Sequence, residues 1–399
     1  MRTFRLVVGA AVLASVSPAQ TVWSMGSPWT DLAAVIAQAV PGDIVLLNGL
    51  TFPPFTLTKG LTILGPGAIR PALSSVGNQL TTLMVPAAQR THVVGVDFLE
   101  FVGVTHGVSA TGTVTFEDCI FGAGEGNSLQ VAGTILMHRC TFTPTVSTGT
   151  PAGGMLVQSG VCWITNSTLV GGNASVNPSQ LTPVLPTTAL SVVSGAVCVS
   201  GSTLRGGNGT WWYQPVAGTW ALRVWGGSVS ITDCTLVGGS SPTGTGFAGA
   251  AALMTNVTVS HARSTFTGGA GTPAGQPWWG SVQHVPELVG MGIAQPFRLG
   301  LSTQSVATAG SAQPLGMVAA LDLVPATHPI VHGTFLGASP LIPLLVALPL
   351  PGAQVVHTLS VPNQPTLLGT AVYSQAFQLS GQPSGPLLLV SPAVGGVVH

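Results

Sequence analysis

Charge is what this chain has least of: ten basic and ten acidic side chains among 399 residues, with Lys59 the single lysine. With the two arginines of the leader set aside, eight basic groups face ten acidic ones. That leaves no basic footprint for nucleic acid and no polybasic stretch for anionic lipid. Cysteine is sparse and odd in number, five in all, too thin for a disulfide-stapled scaffold. Long apolar runs are missing after the leader, so no membrane insertion of the mature chain is expected. Phosphate loops, dinucleotide fingerprints and nucleophile elbows are missing too. No run of three aspartates offers a calcium site, and His328, His332 and His357 lack the acidic or thiol neighbours of a zinc site. No metal and no cofactor is therefore expected. Disorder is excluded by an excess instead, because 46% of the residues are hydrophobic and can bury a large core.

Residues 1–19 stand apart. Arg2 and Arg5 precede an apolar run from Leu6 to Val16, and Ser17-Pro18-Ala19 supplies small residues for cleavage after Ala19. Eleven apolar residues are short for a bilayer span. The segment reads as a cleaved signal peptide, and the mature chain as secreted, extracellular or held at the cell surface.

What the chain has in abundance is one decapeptide rewritten: "WITNSTLVGG" from Trp163, "CVSGSTLRGG" from Cys198 and "SITDCTLVGG" from Ser230. Aligned on its central pair, the motif recurs at Cys119-Ile120, Cys140-Thr141, Ser167-Thr168, Ser202-Thr203, Cys234-Thr235 and Ser264-Thr265, at intervals of 21, 27, 35, 32 and 30 residues. Upstream, Met155, Val157, Cys162 and Ile164 superimpose on Leu190, Val192, Val197 and Val199, and on Leu222, Val224, Val229 and Ile231. Each unit is two short strands of alternating apolar residues joined at a glycine such as Gly160, Gly195 or Gly227, then a third short strand before a Gly-Gly turn. One unit cannot bury its own inward row, but stacked copies can. The pattern predicts parallel pairing of successive copies at about 4.8 Å, like residue above like, with Cys or Ser where only a small side chain fits the inner corner. The β-branched and glycine content opposes helical repeats.

The run "DLAAVIAQAVPGDIVLLNGLTFPPFTLTKGLTILGPG", residues 31 to 67, resembles the opening coil of right-handed parallel β-helix proteins of the pectate-lyase-like superfamily. In that family a short helix, a Gly-Asp turn, a strand, a Gly-Thr-Tyr turn and a Leu-Thr-Ile-x-Gly strand start the solenoid. Here the turn is Pro41-Gly42-Asp43, and the Gly-Thr-Tyr element is altered to Gly49-Leu50-Thr51-Phe52. Thr30 or Asp31 can cap a helix running to about Val40, which would lie across the end of the first coil and cover its edge. Residues 361 to 379, "VPNQPTLLGTAVYSQAFQL", resemble a small C-terminal β domain that ends many secreted bacterial proteins. The expected organisation is all-β: a right-handed parallel β-helix over residues 20–270 with an N-terminal capping helix, a linker over 271–284, and a small β-sandwich-like domain over 285–399. Trp278 and Trp279 are expected to fill the junction.

Two sets of residues are candidates for function. β-Helix enzymes of acidic polysaccharides, as the resemblance implies, use stacked carboxylates with Arg or Lys on an outer face. Column alignment places Glu117 beside His138 and Asp118 beside Arg139, with Asp97, Glu100, His92 and His106 nearby. The structural reading of these pairs is cross-strand register, worth about 0.2–1 kcal/mol each, and Asp233 with Arg263 repeats the device. The second set is aromatic: the insertion "NGTWWYQPVAGTW" gathers Trp211, Trp212, Tyr213 and Trp220, and the next strand turns Arg223 and Trp225 outward. Flat rings and a guanidinium form a platform for sugar rings, while the structural reading folds the tryptophans back onto the coil. Cys119 and Cys140 fall on adjacent coils, where a disulfide and a reduced buried ladder both fit. The leading expectation is a non-catalytic, glycan-binding surface or matrix protein; the alternative is a polysaccharide lyase or glycoside hydrolase acting on an acidic polysaccharide.

Overall fold

The computed structural model describes residues 20–25, 31–48, 51–53, 55–65, 72–74, 81–99, 106–122, 129–143, 154–177, 182–210, 216–242, 247–285, 288–321, 325–326, 331–332, 334–336, 341–380 and 388–399. The leader, Glu100, Trp211, Trp212 and Tyr213 lie outside the described residues, as does the side chain of His106.

The chain is nearly all β, with two long parallel sheets in its first 284 residues. The longer sheet starts with Val22–Met25, Ile44–Leu47, Thr62–Leu64 and Arg90–Val94, and continues through His106–Glu117, Leu129–His138 and Met155–Thr165. It then divides into Leu190–Val192 with Leu222–Val224 and Ala196–Ser200 with Ser228–Thr232, which rejoin on Ala252–Ala262. The shorter sheet runs from Thr51–Phe52 to Thr265–Thr267, one three-residue strand per later repeat. Register is like on like: Ile164 pairs with Val199 and Val199 with Ile231, while Leu169, Leu204 and Leu236 stack in the shorter sheet. Ile164, Leu190 and Val229 all lie in one buried core. Phe98, Phe121 and Phe142 stack inside it with centroids 4.8 and 4.7 Å apart.

The start of the stack is covered as the capping pattern predicts. A helix, α1 (Leu32–Gln38), is capped by Asp31, whose Oδ1 accepts from the Ala34 amide at 3.0 Å, and it buries Leu32, Val35 and Ile36. Lys59 Nζ donates to the carbonyls of Ala37 and Ala39 where the helix ends. Asp43 is buried and accepts from the Thr21 and Val40 amides and the Trp23 indole, each at 2.9 Å. Burial alone would raise its pKa, but the Trp23, Val40 and Thr21 hydrogen bonds and the Lys59 charge outweigh it and hold the carboxyl below its ordinary value.

The repeated Cys/Ser position is a hydrogen-bond ladder as well as a tight corner. Ser167 Oγ accepts the Cys140 amide at 3.1 Å, Ser202 Oγ the Ser167 amide at 3.0 Å, and Ser264 Oγ the Cys234 amide at 3.1 Å. Each hydroxyl donates in turn to the carbonyl two residues before it, at 2.9 Å. All five cysteines are free and buried, which selects the reduced ladder over a Cys119–Cys140 disulfide. Burial raises the thiols of Cys140, Cys162, Cys198 and Cys234, the last to about 12.

Parallel stacking does not stop at residue 270. Trp278–His284 pairs in parallel with Ala252–Ala262, so these residues, expected within a linker, form a further layer of the longer sheet. Trp278 and Trp279 do not fill a junction but lie 44% and 60% exposed on that layer. From Gly290 onward the strands are mostly antiparallel: Gly290–Ile293, Ser302–Thr308 and Gln354–Ser360 form one sheet. A second is built around Leu315–Ala320 and Ala371–Leu379. The two share a core that includes Met291, Phe297, Leu315, Met317 and Leu389. Among the described residues no helix is long and apolar enough to cross a membrane.

The ladder makes its own test. Ser167→Ala leaves the buried Cys140 amide without an acceptor and should lower unfolding free energy by about 1–3 kcal/mol in urea titration. Ser167→Cys, the exchange the repeat itself uses, should cost clearly less. Equal losses for the two variants would refute the hydrogen-bonding role and leave only a steric one.

Candidate functional site

The charged cluster assembles as the column alignment predicts, but it is not open. Glu117 pairs with His138 across the longer sheet, and the Arg139 guanidinium bridges Asp118 and Glu117 at 2.7 Å. Glu117 is 1% exposed and His138 is fully buried. The cover is the C-terminal sheet: the Val397 amide donates to Glu117 Oε2 at 3.2 Å. Tyr373 Oη lies 3.4 Å from Thr115 Oγ1, and its ring faces His92. Leu136, Trp163 and Cys198, which point away from the inner core, are buried with Ala320, Ala371 and Tyr373. Asp97 pairs with Ile120, two positions beyond the Asp118 corner. A substrate chain has no route to Glu117 or His138 in this arrangement, because the space above them is protein.

The sequence held a signal for this cover. A strand that faces water on one side alternates, whereas "ILMH", "CWIT" and "VCVS" are apolar at both parities, the mark of a strand buried on both faces.

The cluster's titration follows from its burial. Burial, then the Arg90 charge, pushes His92 down to about 3; burial, then Arg139, does the same to His138. Burial pushes Glu117 up to about 7, although Arg139 and the Val397 amide oppose it. Arg139 is desolvated, yet its bonds to Asp118 and Glu117 raise it above its ordinary value.

The aromatic set survives on the open surface in part. Leu222 and Val224 are buried, and Arg223 between them faces out, as alternation predicts. Its Cζ lies 4.1 Å from the Trp225 ring centroid and 4.9 Å from that of Trp220. Two indoles thus hold one guanidinium, and its Nε is buried without a hydrogen-bond partner. Among the described residues no carboxylate forms an ion pair with Arg223. Burial lowers its pKa from the ordinary value. Trp225 is 38% exposed, and the outward column continues through Leu253 to Trp279. Among the described residues no group of three His, Cys, Asp or Glu side chains could hold a metal ion.

No family model, no curated protein and no solved structure matches this chain.

The three buried groups fix a pH profile. His92 and His138 are neutral in the fold and take up protons on unfolding below about 6.5, so their contribution is full above that value and is lost as pH falls toward 3. Glu117 has the opposite sign: its contribution is full below its ordinary value of 4.5 and is lost as pH rises to about 7. Stability in urea should therefore peak near pH 6.5, fall steeply in acid and fall slightly toward neutrality. Glu117→Gln should remove the neutral-side fall and steepen the acid limb between pH 6.5 and 4.5, where the carboxyl opposes the imidazoles. An acid limb that is flat between pH 6 and 4 would contradict the burial of both imidazoles.

Proposed function

We propose that this chain is a secreted, non-catalytic right-handed parallel β-helix protein that binds glycan on its outer face. The observation that carries the reading is the Trp220–Arg223–Trp225 cluster: a guanidinium without an ion-pair partner on the strand Leu222–Val224, packed on two indoles that flank that strand, with all three side chains partly exposed. Apolar ring faces take the C–H faces of sugars, and the guanidinium supplies directed donors to ring or hydroxyl oxygens. Trp211, Trp212 and Tyr213, in the insertion leading to Trp220, would extend the platform.

The β-helix assignment is supported by two parallel sheets that follow sequence order in register, by the capping helix, and by the pectate-lyase-like pattern of residues 31 to 67. The antiparallel sheets after residue 290 fit the small β-sandwich-like domain of secreted bacterial proteins. The leader supports export. The alternative, a polysaccharide lyase or hydrolase working through Glu117, Asp118, His138 and Arg139, loses support from the burial of its acid and its imidazole.

A glycan array with the mature protein tests the binding, and an unsaturated-product assay on uronate polymers tests for turnover. Arg223→Ala with Trp225→Ala removes a stacking face worth about 0.5–1.5 kcal/mol together with the guanidinium donors, so affinity should fall about tenfold or more while the melting curve holds. Turnover abolished by Asp118→Ala would reverse the assignment.

A further inference from the structure

A cleft of about 430 Å³ lies between the turn that joins the two parallel sheets and the first antiparallel sheet. That volume is at the lower end of small-ligand pockets. One wall is the turn itself, with Asn166, Asp233 and Arg263; the facing wall carries Thr308 and Gln354. Met291, Ile293 and Val306 supply the apolar surface between them. The Trp220–Arg223–Trp225 platform contributes nothing to it.

Charge inside the cleft is balanced. Arg263 donates to both Asp233 oxygens at 2.7 and 3.0 Å, and its Nη1 donates to the Leu288 carbonyl at 2.8 Å. The pair keeps 24% and 28% of its side-chain surface open, so it presents carboxylate lone pairs beside a guanidinium edge. Asn166, exposed and held by a long 3.5 Å bond to the Ile293 carbonyl, adds an amide that donates and accepts. Thr308 and Gln354 repeat that mixed character on the other side. An anion would satisfy the donors and be repelled by Asp233; an ammonium would do the reverse. A hydroxyl group donates and accepts at once, and the C–H face of a polyol ring suits Met291, Ile293 and Val306.

We infer that this cleft binds a neutral polyhydroxylated ligand, a sugar residue, clasped between the parallel stack and the C-terminal sheets. The site is independent of the tryptophan platform and makes the C-terminal sheets part of the binding apparatus.

Saturation-transfer NMR on the mature protein, with glucose, galactose, xylose and cellobiose as neutral probes and galacturonate and glucosamine as charged ones, provides the test. Two variants address the cleft: Thr308→Val removes a hydroxyl at constant shape, and Ala294→Phe adds bulk at an exposed lining position. In an Arg223→Ala, Trp225→Ala background, where the platform no longer contributes, transfer to at least one neutral probe should persist and should fall fivefold or more when either cleft substitution is added. Circular dichroism melting checks that both variants fold. The inference is overturned by no transfer to any neutral probe in that background, by transfer insensitive to both cleft variants, or by preference for a charged probe. Array binding that is unchanged by Arg223→Ala with Trp225→Ala, together with transfer that falls in both cleft variants, would sink the platform and leave this cleft standing.

Discussion

The parallel stack hangs on one backbone corner, repeated in seven successive layers from Gly95 to Arg263. The residue before each Cys or Ser has a left-handed backbone: φ is 52° at Asp118 and Arg139, 49° at Asn166, 56° at Asp233 and 47° at Arg263, with Gly95 and Gly201 in the same place at 66° and 57°. For a residue with a side chain that conformation costs roughly 1–2 kcal/mol. The corner turns the chain from the longer sheet into the shorter one without breaking the interlayer ladder: the amides of Asp118, Arg139, Asn166 and Asp233 reach the carbonyls of His138, Thr165, Ser200 and Ala262 at 3.0–3.1 Å. The following amide is turned away from the next layer's backbone, and the Ser or Cys side chain of that layer receives it. Strain at the corner and the hydroxyl ladder are therefore two parts of one device, and neither would persist alone.

The same corner decides where the C-terminal sheets dock. A left-handed residue throws its side chain outward, so Asp118, Arg139, Asn166, Asp233 and Arg263 form a polar column along the edge of the stack. Arg263 reaches the Leu288 carbonyl and Asn166 the Ile293 carbonyl, while the Met291 amide reaches Ser200 Oγ at 3.4 Å. Beside this column the outward face of the longer sheet carries the apolar Leu136, Trp163 and Cys198, and Tyr373, Ala371 and Ala393 close over them. Polar bonds set the register of the two parts and apolar burial supplies most of the attraction. Such a contact makes the C-terminal sheets a wall of the molecule rather than a module on a tether.

How much of this the sequence disclosed depends on whether a feature repeats. Strand order, inward rows and the pairing of Glu117 with His138 all follow from periodicity, because stacking puts equal positions side by side, while the cap at Asp31 follows from a capping side chain just before an apolar run. The outward face of the longer sheet is different. Its partner lies more than two hundred residues away in Tyr373 and Val397, and no local pattern names a distant partner; the doubled apolar parity around Trp163 indicates only that one exists. The left-handed corner was masked by the variety of its occupants, since Asp, Arg, Asn and Gly share a backbone conformation and little else. Residues 278–284 were misread because glycine and proline in 268–277 imitate a linker, whereas the strand after them resumes the pattern with Ala252 and Leu253.

Scarcity of charge takes its meaning from these positions. Asp31 caps the helix, Asp43 gathers three donors at the first turn, Glu117 and Asp118 hold Arg139, and Asp233 holds Arg263. Asp31 serves its own helix at the surface, and the other four carboxylates each fasten one segment of the chain to another. A solvent face is then left to hydroxyls, as in the outward column Thr168, Thr203, Thr235 and Thr265, which are all exposed and in register. Against so neutral a surface, an arginine clasped by two indoles with no acid to meet it has no structural task comparable to those of Arg139 and Arg263. The burial of its Nε without a partner is a cost that the two rings only partly offset.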